Sequence, residues 1–84
     1  MADLQAQFEQ ARIDSKNLPE KPDNMTLLQL YALYKQGSLG DVDTERPRFT
    51  EMVERAKWDA WNNVKGKSKD DAMQGYIDLI ESLK

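Results

Sequence analysis

The chain has 84 residues, 39% of them hydrophobic and 32% charged, with a net charge of −3, a length that fits one domain over residues 1–84 with no room for a second core. Cysteine and histidine are both absent, which excludes disulfides, thiolate or histidine metal sites, and histidine acid–base catalysis. The acidic balance argues against a nucleic-acid partner, which needs a basic face, but a few converging lysines would still set a positive local field.

The N-terminal MADLQAQFEQ has neither a basic nor an apolar signal region, and no apolar run approaches the roughly 20 residues that span a bilayer. An intracellular, cytoplasmic protein is expected. Leu4, Phe8, Ala11 and Ser15 recur at helical spacing and form a thin stripe. That first helix fades before Pro19 and Pro22, which bracket the extended connection NLPEKPD. Asp23 or Asn24 then caps a second helix running through MTLLQLYALYKQG, with Gly37 and Gly40 marking its end. Leu27, Leu30, Tyr31 and Tyr34 crowd one side of it, and Leu28 lies at the edge near Lys35.

The segment DVDTERPRF, residues 41 to 49, is the longest irregular piece, and Val42 and Phe49 predict a packed loop. A third helix over about residues 51 to 65 carries Val53, Ala56, Ala60 and Val64 on one stripe and Trp58 and Trp61 on another, with Gly66 suited to C′. Ser68 with Asp71 forms a capping pattern that starts the fourth helix. There Met73, Tyr76, Ile77, Ile80 and Leu83 make the cleanest amphipathic signal in the chain. No segment alternates as a half-buried strand, so the fold expected is all-α with four helices.

Enzyme chemistry finds little support in these residues. Gly66-Lys67-Ser68 resembles the end of a phosphate-binding loop, but Trp61 stands where its first glycine belongs and no strand precedes it. No serine has a histidine base or a GxSxG turn. The face formed by Tyr31, Tyr34 and Lys35 is different, because at about 100° per residue the three share roughly a third of the helix circumference. An aromatic plane beside a cation suits a ligand with a heteroaromatic ring and phosphates. The same residues also fit a core edge, with hydroxyls reaching water and Lys35 snorkelling.

YALYKQGSLGDVDTERP followed by AKWDAWNNVKGKSKDDAMQGYI strongly resembles the acyl-CoA-binding protein family. The resemblance runs the length of the chain without a gap, with YALYKQ, the GDVDTERP loop and the KWDAWN to YI run in family order and spacing. It implies an all-α four-helix bundle of the acyl-CoA-binding protein type. The activity implied is binding medium- to long-chain fatty acyl-CoA esters as an intracellular carrier and buffer, with no catalysis and no cofactor. Tyr31, Tyr34, Lys35, Lys57 and Tyr76 occupy the family's principal ligand-contact positions. By this resemblance Tyr34, with Tyr31, stacks on adenine, Lys35 and Lys57 hold the 3′-phosphate, and Lys16 and Lys21 add basic groups near nucleotide and pantetheine. Phe8, Ala11, Leu28 and Pro22 match positions lining the acyl chain. The resemblance further implies a monomer that meets membranes or acyl-CoA-using enzymes only transiently, and no nucleic acid.

The chain departs from the family pattern at Arg12, beside the acyl path, at Met52 to Glu54, and at Gly75 within the fourth helix. The alternative reading is a helical protein-interaction module that has lost ligand binding. It would show as an exposed apolar patch away from the tyrosine face, for which Leu39 and Phe49 are the candidates.

Overall fold

The structure, a computed structural model, describes residues 3–84; residues 1 and 2, included in the expected domain, lie outside the described residues. Asp3 caps α1 (Leu4–Asp14) by accepting from the Gln5 amide at 3.3 Å. The helix buries Phe8 and Ala11, one turn apart on the same face. A single 3-10 turn (Ser15–Asn17) tightens its end, and Leu18 is already extended, as the following proline favours. α2 (Asn24–Leu39) starts where Asp23 accepts from the Thr26 amide at 2.8 Å. α3 (Met52–Asn63) follows the long loop, and α4 (Lys69–Leu83) starts where the Ser68 hydroxyl accepts from the Asp71 amide. The structure is therefore all-α, as the periodicities predict.

The core lies where α1, α2 and α4 meet, around Phe8, Ala11, Leu30, Met73, Tyr76, Ile77 and Ile80. α4 supplies most of it because its apolar residues keep the 3.6-residue period over three turns. α2 is the central helix: it packs against α4 on one side and α3 on the other. Gly37 against Met73 with Tyr34 beside Tyr76 sets α4 antiparallel to α2, and Phe8 against Tyr76 with Asp14 paired to Lys84 sets α1 parallel to α4 and so antiparallel to α2. α3 runs parallel to α2, since Tyr31 meets Lys57 and Gln36 meets Trp61. Of the α3 residues, Trp61 is the one fully buried, so this helix is a flank laid on α2.

Three expectations change. Gly37 does not end α2; it sits inside the helix, where a Cβ would come within 3.1 Å of Met73 and 3.2 Å of Phe8. The glycine serves close helix approach, and the stop is Gly40, at φ 88° with its amide bonded to the Gln36 carbonyl. α3 ends two residues before the expected position, and Gly66, at φ 93°, closes the turn that follows. Phe49 is not packed: it is 80% exposed, with the Arg55 guanidinium 5.8 Å from its ring centre. The loop is held instead by buried Val42, by the Trp58 indole donating to the Thr44 carbonyl, and by the paired hydrogen bonds of Arg46 to Asp59. Those anchors all lie on the N-terminal side of Phe49, so none of them draws it inward.

Gly75 has no such packing reason. A Cβ there would meet only the end of the Leu33 side chain, at 3.4 Å, and its φ is not positive. Gly75→Ala is expected to raise stability by about 0.5–1 kcal/mol. Urea unfolding checks it, and a lower midpoint would mean that Leu33 has no room to yield.

Candidate functional site

α2 presents Tyr31 and Tyr34 one turn apart, and each meets a different neighbour. The Tyr34 ring stacks on Phe8 at 5.3 Å between centroids and lies 5.9 Å from Tyr76. Phe8 and Tyr76 meet edge to face at 5.3 Å. One aromatic wall thus joins α1, α2 and α4. In front of it lies a hollow of about 280 Å³ lined by Ser15, Leu18, Pro22, Tyr31, Tyr34 and Tyr76, among others. Burial raises the Tyr76 hydroxyl pKa above its ordinary value of 10.0, partly opposed by the neighbouring Ser15 hydroxyl. The phenol is thus held neutral, as a hydrogen-bonding group.

Tyr31 stands at the border of this hollow and a second one, about 460 Å³, between α2 and α3. Its walls are mainly Leu27, Leu28 and Tyr31 of α2 with Met52, Val53 and Ala56 of α3, and Lys57 closes the side. Two ammonium groups converge on the Tyr31 ring from different helices: Lys35 Nζ at 5.7 Å and Lys57 Nζ at 5.6 Å from its centroid. Lys35 Nζ also lies 5.9 Å from the Trp61 ring. The aromatic faces offset part of the repulsion between these like charges, and an anion seated between them would relieve the rest. Among the described residues Lys35 has no ion-pair partner, whereas Lys57 reaches Glu54 at only 3.9 Å. Tyr31 has its pKa raised by burial first and by the Glu54 carboxylate second. Glu54 is therefore the acid that opposes the positive field here.

The residues singled out from the sequence do not all lie in one place. Tyr31, Tyr34, Lys35, Lys57 and Tyr76 do come together, around the two adjoining hollows. Leu28 and Pro22 line them, one in each. Lys16 and Lys21 are exposed, and each is the sequence neighbour of a lining residue, Ser15 and Pro22. Phe8, 1% exposed, is the α1 member of the aromatic wall, and Ala11, 5% exposed, is a core residue one turn further along α1. Arg12 is exposed and pairs with Glu9 at 3.5 Å. Leu18, Leu27, Val53 and Ala56 also line the hollows, although the family resemblance does not single them out. Leu27 is the most legible of these, since it shares the face of Tyr31 and Tyr34. Ala56 shows its role only once α3 is laid beside α2.

Among the described residues, no group of acidic side chains could hold a metal ion, and no helix is long and apolar enough to cross a membrane.

The family described as acyl CoA binding protein matches residues 5–80. The acyl-CoA-binding domain-containing protein 1 of Oryza sativa subsp. japonica is 50% identical over 80 residues, which cover 95% of this chain and 88% of that protein. The acyl-CoA-binding protein of Saccharomyces cerevisiae is 49% identical over 76 residues, covering 90% and 87%. The crystal structure of Oryza sativa acyl-CoA-binding protein 2 superposes with a TM-score of 0.92 at 44% identity, covering 96% of this chain and 90% of that one.

Proposed function

Because this chain belongs to the acyl-CoA-binding protein family, we propose that it binds medium- to long-chain fatty acyl-CoA esters and carries and buffers them without chemical change. The observation that carries this reading is the convergence of Lys35 and Lys57 on Tyr31, at the border between an aromatic hollow and an apolar one. An acyl-CoA has the same order of parts: an adenine, a cluster of phosphates and an apolar tail. Adenine fits the hollow walled by Tyr34 and Tyr76, which Pro22 also lines. The 3′-phosphate fits between Lys35 and Lys57, as a charge-assisted contact. Lys16 and Lys21 add positive field at the outer edge. The tail lies against Leu27, Leu28, Met52 and Ala56, where each buried methylene contributes about 0.8 kcal/mol. Phe8 belongs to the aromatic wall itself, and Ala11 is buried beside it on α1.

No step requires a nucleophile, a metal or a cofactor, and the chain works as one domain and a cytoplasmic monomer. Cargo passes to membranes or acyl-CoA-using enzymes by transient contact. The interaction-module alternative is disfavoured because Leu39 and Phe49, though 61% and 80% exposed, form no common patch. Leu39 ends α2 and Phe49 precedes α3, so the parallel helices place them at opposite ends.

Calorimetric titration with palmitoyl-CoA, coenzyme A and palmitate tests the reading. The thioester should bind far more tightly than either half, because each half leaves one hollow unfilled. Equal affinity for all three, or none, would sink it.

A further inference from the structure

The apolar hollow between α2 and α3 shares two of its lining residues with another. Leu28 and Ala56, which line it, also line a second groove of about 580 Å³ along the same seam, together with Met25, Ala32, Ala60 and Val64. Its walls come from α2 and from α3 with its C-terminal cap residue, Val64. The cause is legible in the packing. Ala56 and Ala60 on α3 and Ala32 on α2 are too small to fill the space between two helix backbones. The stripe that predicts a core face on α3 therefore opens a trough.

Length identifies the occupant. The front hollow is lined on α2 from Asn24 to Tyr31, which is about 10 Å of helix. Two opposed acyl tails fill a bilayer core of about 30 Å, so one long tail needs about 15 Å. A tail of that length overruns the front hollow, which the seam borders at Leu28 and Ala56. The rear groove is lined on α2 from Met25 to Leu33, and from the shared Leu28 to Leu33 it offers about 8 Å more. We propose that the seam at Leu28 and Ala56 is a passage through which the end of a long acyl tail continues into the rear groove, so that this chain favours long and very long acyl-CoA esters. The inference rests on the acyl-CoA reading above and adds to it a second subsite and a length preference. Occupation of the rear groove extends the gain from each further methylene, up to about fourfold in affinity, beyond the length that fills the front hollow.

Calorimetry with the full chain and an acyl-CoA series from dodecanoyl to tetracosanoyl, each below its micelle concentration, tests the passage. Two variants block the rear groove at residues that do not line the front hollow. Ala60→Leu fills it, and Val64→Thr keeps the side chain's shape but places a hydroxyl in it. The wild type should gain affinity with length well past palmitoyl. Both variants should level off at a shorter length, with dodecanoyl-CoA affinity unchanged. A common plateau in all three proteins would overturn the passage, as would an equal loss at every length in both variants. Failure of the wild type to bind dodecanoyl-CoA at all would overturn the acyl-CoA reading itself.

Discussion

Replacing Lys35 with alanine should weaken palmitoyl-CoA binding by about ten- to hundredfold, the value of one charge-assisted contact to a phosphate. The fold should be unaffected. Lys35 is half-buried, has no ion-pair partner among the described residues, and lies near the rings of Tyr31 and Trp61. Lys57→Ala should cost less, because Glu54 already draws on that ammonium at 3.9 Å. The double variant should lose less than the sum of the two, since both lysines act over one ring. Calorimetry reads the affinities and circular dichroism the helicity. Unchanged affinity in Lys35→Ala would place the phosphate elsewhere. Tyr34 makes a poorer probe, because its ring also stacks on Phe8 and truncation would disturb the core.

Gln36→Leu should lower the melting temperature by roughly 10–20 °C, corresponding to about 2–3 kcal/mol in a domain of this size. Gln36 is 1% exposed and is the buried polar residue among those described. Its amide donates to Asp41 Oδ1 at 2.8 Å and to the Lys67 carbonyl at 2.7 Å, and its carbonyl accepts from the Trp61 indole at 3.2 Å. One side chain thus joins α2 to the loop, to α3 and to the turn before α4. Leucine would fill the space but leave the Lys67 carbonyl without this donor. Trp61 would keep the Gly40 carbonyl, and Asp41 would keep the Gly66 amide. Those surviving bonds limit the loss. The Asp41 carboxyl is held below the ordinary 3.8 by the Gly66 amide first and by Gln36 second. Asp41→Ala combined with Gln36→Leu should therefore be less than additive. Thermal unfolding of the single and double variants measures this, and full additivity would show that the two side chains act independently.

The parts of this fold legible in the sequence are those decided by neighbours along the chain. Asp23 and Ser68 cap their helices because the acceptor and the free amide are three residues apart. The α4 stripe is legible because its period repeats over three turns. Gln36 is not legible as a core residue, since nothing local marks a glutamine whose partners lie 5, 25 and 31 residues away. Phe49 misleads for the converse reason: an aromatic residue in a loop predicts packing, but the loop's anchors precede it.

The site divides in the same way. Tyr31, Tyr34 and Lys35 share a face of one helix, and that follows from helical geometry alone. Lys57 joins them only because α3 lies parallel to α2, which brings its ammonium to 5.6 Å from the Tyr31 ring. The sequence by itself thus determined the helices, their caps and the tyrosine–lysine face, all products of short-range periodicity. Tertiary structure alone decided the paired cations, the Gln36 junction and the two grooves along the α2–α3 seam. Those depend on which side chains meet between helices, and on alanines that leave space only when another backbone is laid beside them.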